Sequence, residues 1–161
     1  MAAKSASLQD HFLNAVRRSH QSVSLFVLKG VKLQGLIAGF DPYAIELRRS
    51  GLSQLVYKHA IATIVPAAPV AGMELEAPAD DPRASLQDRF LANSAANKDA
   101  LTLFLVNGVM LQGEVAAFDQ YSVLLSRGRF SQLVYKHAIS TIQPDEQAAS
   151  PAPRAFAESV G

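Results

Sequence analysis

The 161-residue chain is 49% hydrophobic and 18% charged, has no Cys and carries a formal net charge of +1. Such a composition fits a globular chain of one medium or two small domains, and the missing Cys excludes disulfides, thiolate metal sites and cysteine nucleophiles. Every apolar stretch is broken by Gly, Asp or Lys before it reaches bilayer-spanning length, and His11, His20, His59 and His137 lack metal-ligand spacing, so neither a membrane nor a cofactor is called for.

The opening MAAKSASLQDHF has no apolar core of a secretory signal, which makes the cytoplasm the expected compartment. After a short extension at 1–6, Ser7 stands as an N-cap with Asp10 three residues on, and Phe12, Leu13 and Val16 then fall on one helix face. Five runs rich in β-branched and aromatic residues follow at 23–29, 31–40, 43–49, 52–58 and 61–65. Lys29-Gly30 suits a hairpin turn, and Gly35 inside the long second run lets that strand bend and serve both sides of a small barrel. Residues 67–84 are rich in Pro, Ala and acidic side chains without periodicity and read as a linker.

From residue 85 the pattern starts again. The nine residues SQLVYKHAI at 53–61 recur unchanged at 131–139, SLQD at 7–10 recurs at 85–88, and LQG at 33–35 recurs at 111–113. At a constant offset of 78, about 31 of 60 positions are identical without a gap, so residues 7–66 and 85–144 are a tandem duplication. Residues 145–161 read as a disordered tail. The charge is unevenly shared. Residues 7–66 hold seven cations against three anions, residues 85–144 five against four, and the linker one (Arg83) against Glu74, Glu76, Asp80 and Asp81. A basic first half beside an acidic connector points to a polyanionic partner. A unit of about sixty residues is marginal alone and leaves a sheet edge unpaired, with SQLVY as the candidate edge. Pairing that edge with the next copy in a closed ring answers both problems; two units per chain then suggest three chains in a six-unit ring, with a linker long enough to join either ring neighbours or two stacked rings.

SLQDHFLNAVRR, GVKLQGLIAGFD and SQLVYKHAIATIVP, in that order and spacing, closely resemble Hfq, the bacterial Sm-like RNA chaperone family. The second copy, with SLQDRFLANSA, NGVMLQGEVAAFDQY and SQLVYKHAISTIQP, resembles it too. The resemblance implies a mainly β fold of two Sm-like units, each an N-terminal helix plus a bent five-stranded antiparallel barrel, assembled into a ring that binds RNA on both faces. On the proximal face it implies U-rich RNA held by Gln9, Tyr43, Lys58 and His59, and by Gln87, Gln120, Tyr121, Lys136 and His137. Aromatic rings there would stack bases, Lys would neutralise phosphate, and Gln and His would hydrogen-bond base edges or ribose.

On the distal face the resemblance implies A-rich RNA at Phe26, Gly30, Lys32, Gln34, Gln54 and Thr63, and at Phe104, Gly108, Gln112, Gln132 and Thr141. Phe replaces the family's usual stacking Tyr in both copies, and Met110 replaces the Lys of the first copy. The basic rim is present as Arg17, Arg18 and His20 in the first copy and reduced to Lys98 in the second. The resemblance implies that Tyr57 and Tyr135 are subunit-interface or packing residues rather than RNA contacts. Expected partners are therefore small regulatory RNAs, mRNAs and further copies of the chain, with acidic linker and tail residues competing for the rim. A ring-shaped protein–protein scaffold with weakened RNA binding is the alternative. Ser53, Asp41 and His59 lack a nucleophile elbow, so no enzyme is expected.

Overall fold

The computed structural model describes residues 7–73 and 77–145; the extension 1–6, Glu74, Leu75, Glu76 and the tail from 146 onward lie outside the described residues. Helix α1 (Leu8–Ser19) begins as its sequence dictates: the Ser7 hydroxyl accepts the Asp10 N–H at 3.2 Å, satisfying one otherwise orphaned donor. It ends at His20, whose φ of 55° is the left-handed cap conformation. Five antiparallel strands follow, β1 (Val23–Val27), β2 (Lys32–Phe40), β3 (Ala44–Arg49), β4 (Leu52–Tyr57) and β5 (Ile61–Pro66). The second unit repeats the series as α2 (Leu86–Asn97) and β6 (Leu101–Leu105), β7 (Met110–Phe118), β8 (Ser122–Arg127), β9 (Phe130–Tyr135) and β10 (Ile139–Pro144).

Two strands stop short of their sequence pattern for identifiable reasons. β1 ends at Val27 because Gly30, at φ 92°, turns the chain and its N–H donates to the Val27 carbonyl at 2.8 Å. Lys58 leaves β4 because Lys58–Ala60 form one 3-10 turn, and Lys136–Ala138 do the same in the second unit.

β2 is the hinge of each unit. Its first half pairs with β1, from Gly35 opposite Val23 to Lys32 opposite Phe26, and its second half pairs with β3, with a register shift between Ile37 and Gly39. Gly35 is required by close approach: a Cβ there would lie 2.7 Å from the Arg48 carbonyl oxygen, and at Gly113 2.6 Å from that of Ser126. The bend is as expected; a closed barrel is not what results. Within a unit the order is β5-β1-β2-β3-β4, and β4 does not pair with its own β5.

Instead, β5 of the first unit pairs with β9 of the second, Thr63 opposite Val134 and Ile64 opposite Leu133, giving one ten-stranded antiparallel sheet. The two units are therefore direct neighbours, and β4 and β10 are left as free edges. One apolar cluster spans the junction: Ala117, Leu124, Leu133 and Tyr135 join Leu8 and Phe12 of α1. The consequence is visible in equivalent residues. Leu8 is 8% exposed and Leu86 87%; Leu133 is 0% exposed and Leu55 58%. The linker does not run free either. Ala68 N–H donates to Gln21 Oε1 at 2.7 Å, His11 Nε2 donates to the Gly72 carbonyl at 2.9 Å, and Val70 and Met73 pack on the junction cluster. Among the described residues no helix is long and apolar enough to cross a membrane, and no group of His, Asp and Glu could hold a metal ion.

Gly35→Ala is expected to lower unfolding stability by about 1–3 kcal/mol, because backbone must move to admit the methyl. Gly39→Ala has room, with only Glu46 Oε1 at 3.9 Å, and its counterpart is already Ala117. Urea unfolding of the two variants should therefore separate them clearly.

Candidate functional site

A cavity of about 860 Å³ opens where the two units meet. Its aromatic walls are Tyr43 and Tyr121, one from each unit, both exposed, and its floor carries Lys58, Gln9 and Tyr135, with His137 at the edge. The loops that hold the two aromatic walls are built alike. The Asp41 carboxylate accepts the N–H groups of Tyr43 and Ala44, each at 2.8 Å, and Asp119 accepts those of Tyr121 and Ser122 at 2.8 and 2.7 Å. These bonds to the charged form, those from Tyr43 and Ala44, hold the Asp41 carboxyl below its usual range. The second carboxylate oxygen of Asp119 also accepts the Gln9 N–H at 3.2 Å, tying the first turn of α1 to the second unit.

Three further contacts cross the junction or line it. The Tyr135 hydroxyl donates to Gln9 Oε1 at 3.1 Å, inside the protein. Burial, reinforced by Asp119 and Asp10, pushes that phenol well above its ordinary value. His137 Nε2 donates to the Ile61 carbonyl at 2.8 Å, and its ring stacks on Tyr135 at 5.4 Å between centroids. Lys58 is buried with its ammonium over the Phe40 ring at 5.8 Å, and Nζ has no hydrogen-bond partner among the described residues. Burial lowers its pKa, opposed by the attraction of Asp10, Asp41 and Asp119. The result is a desolvated cation with free donors at the base of a two-tyrosine slot, suited to a planar ring carrying an anionic group.

The structure thus brings together Gln9, Tyr43, Lys58, His59, Tyr121 and His137. It does not bring Gln87, Gln120 or Lys136 there. Gln87 and Lys136 line a separate groove at the free β10 edge, where Lys136 Nζ lies 3.7 Å from Asp88. Gln120 is exposed, and its counterpart at offset 78 is Pro42, which offers no side-chain donor. Sequence reasoning passed over Asp41 and Asp119 as positioning groups; the signal was the recurring Phe-Asp pair at 40–41 and 118–119.

Away from this cavity, Lys32, Phe26 and Thr63 are consecutive cross-strand partners on β2, β1 and β5. Phe26, Lys32, Gln34 and Gln54 are exposed, with Gly30 in the adjacent turn, but Thr63 is buried by β9 while its counterpart Thr141 on the free edge is exposed. In the second unit Gln112 and Gln132 meet in a cavity of about 490 Å³ with Met110, Arg127 and Phe130, the last a residue the sequence did not single out. Phe104 lies on β6 opposite Met110 and Thr141, with Gly108 in its turn. At the outer end of α1, Arg17, Arg18 and His20 converge with Arg48 in a groove of about 490 Å³. The corresponding residues are Ala95, Ala96, Lys98 and Ser126, so three of the four basic groups are missing from the second unit.

The model of the family described as "Hfq protein" matches residues 8–71 and, separately, residues 86–149. The "RNA-binding protein Hfq" of Caulobacter vibrioides (strain NA1000 / CB15N) is 55% identical over 80 residues, 50% of this chain and 98% of that protein. The protein of the same name from Maricaulis maris (strain MCS10) is 54% identical over 78 residues, 48% of this chain and 87% of that protein. A crystal structure of the pleiotropic translational regulator Hfq is 39% identical, with a TM-score of 0.35, and covers 37% of this chain and 98% of its own.

The same substitution should act differently in the two units. Tyr135→Phe strands a buried Gln9 oxygen and should cost about 1–3 kcal/mol in urea unfolding, whereas Tyr57→Phe, at an exposed edge, should cost almost nothing in the isolated chain. Because folding raises the Tyr135 pKa, its neutral form is the stable one. Stability is fully present below the ordinary value of 10.0 and is lost as pH rises beyond it, a decline that Tyr135→Phe should remove.

Proposed function

The chain belongs to the Hfq family, both of its halves matching the family model, and we propose on that premise that three chains close into a six-unit ring that binds RNA and promotes the pairing of small RNAs with mRNAs in the cytoplasm. Residues 7–66 and 85–144 are its two domains, and 67–84 the strap between ring neighbours. The observation that carries the reading is the junction cavity. Tyr43 and Tyr121 in its lining offer aromatic faces for stacking a base, and the buried Lys58 ammonium in the same cavity is a phosphate partner. U-rich RNA is the ligand assigned to this side, with His59 and His137 at the rim of the slot. A-rich RNA is assigned to the opposite face, stacking on Phe26 and Phe104 with Gln34, Gln54, Gln112 and Gln132 reading base edges. Thr63, buried by β9, supports that face from behind rather than touching RNA. The free edges support ring closure: at offset 78 the Thr63–Val134 and Ile64–Leu133 pairs of the inner junction correspond to Thr141–Val56 and Ile142–Leu55, the pairs a joint between chains would use.

Fluorescence anisotropy of short labelled U-rich and A-rich RNAs over a salt series tests this. Both should bind, and log affinity should fall linearly with log salt. Lys58→Ala should weaken U-rich binding about tenfold and make its salt slope shallower by about one, leaving A-rich binding intact; Phe26→Ala should do the converse to affinity alone. Binding of neither RNA would transfer the assignment to a protein–protein scaffold.

A further inference from the structure

The duplication supplies an internal standard for the joint that a second chain would make. Inside the chain, α1 and β5 receive four residues of the second unit: Ala117, Leu124, Leu133 and Tyr135, each buried. Shifted by 78, the residues on the free β4 side are Gly39, Glu46, Leu55 and Tyr57. Two are conserved in kind; Ala117 loses its methyl as Gly39, and Leu124, 0% exposed, becomes a carboxylate. On the receiving side, the counterparts of Leu8, Phe12 and Ile64 are Leu86, Phe90 and Ile142, and they line an open groove of about 390 Å³ beside the β10 edge.

The occupant this groove fits is the β4 edge of a second copy, because its shape continues that of the filled junction and the facing edge carries Leu55 and Tyr57 exposed. Of the two positions that differ, Gly39 only lacks a methyl, whereas Glu46 puts a charge where the inner junction has an apolar side chain. In the single chain its Oε2 lies 3.4 Å from Arg48 Nη2 in partly exposed surroundings. Docking carries it to the place where the inner junction holds a leucine against α1. The groove's own cation, Lys136, already faces Asp88 at 3.7 Å, and Arg89 of α2 is held by Asp80 at 3.1 Å. A carboxylate moved into an apolar contact loses hydration without a free partner.

Resting on the ring reading above, we propose that Glu46 makes the joint between chains the weak one, so that the assembly dissociates and exchanges as whole two-unit chains while the joint inside each chain stays closed.

Mass photometry of the full chain over a dilution series, with exchange between two fluorescently labelled populations, tests this. The wild type should pass from about 52 kDa, three times 17.3 kDa, to whole-chain masses on dilution. Glu46→Leu, which installs the residue the second unit already carries, should lower the concentration of half-dissociation at least about tenfold and slow exchange in proportion, with Glu46→Gln between the two. Equal or weaker assembly of Glu46→Leu would overturn the proposal while leaving the ring in place, since it would mean that Glu46 finds a cation across the joint. Single chains at every concentration in all three proteins would overturn both the proposal and the ring.

Discussion

Everything in this molecule depends on a backbone constraint: each unit has two sheet edges that it cannot pair with each other. β2 bends at Gly35 sharply enough to hand β1 on one side and β3 on the other, yet β4 and β5 end as opposite edges. An unpaired edge is a row of donors and acceptors that must find a partner, and about sixty residues bury too little surface to stand alone. The chain answers half of the demand internally. β5 takes β9, and the apolar residues of α1 acquire a roof of Leu124, Leu133 and Tyr135.

The candidate site is a by-product of that pairing. Neither unit holds the slot by itself; Tyr43 comes from one, Tyr121 from the other, and Lys58 becomes buried only where both meet. The contrast with Lys136 makes the point. It has the same neighbours in sequence, but at the free edge it remains partly exposed and pairs with Asp88. The aromatic walls stay fixed because Asp41 and Asp119 each hold two consecutive N–H groups, so the slot is preorganised rather than collected on binding.

Much of this was legible in the residues. The helix caps at Ser7 and Ser85, the five strands, the bend at Gly35 and the edge character of SQLVY all follow from local rules: capping, β-branching, close approach and alternation. What escaped was whatever depends on the partner surface. Thr63 and Thr141 are the same residue in the same motif, and only the seating of β9 decides that one is buried. The same holds for Gln9, whose carbonyl is taken by Tyr135 from 126 residues away, and for Gln87, which is not. The linker reads as a flexible coil from composition, but Val70 and Met73 find the junction cluster because the units it connects lie side by side.

Duplication in one chain also changes what substitution can do. When a ring is built from one repeated unit, every change appears in every position, so a charge at a joint or a lost rim cation is multiplied around the circle. With two units fused, each chain contributes both versions in fixed alternation. Arg17, Arg18 and Arg48 can then persist in the first unit while Ala95, Ala96 and Ser126 replace them in the second, and each chain keeps one basic groove. The tether matters to the same logic. A second unit with a weakened surface is retained beside a competent one, because the linker keeps its local concentration high whatever the joint itself contributes. The covered junction at β5 and β9 holds Leu124 fully buried, whereas the equivalent position beside the free β4 edge carries Glu46, so one chain presents an apolar joint inside and a charged surface outside.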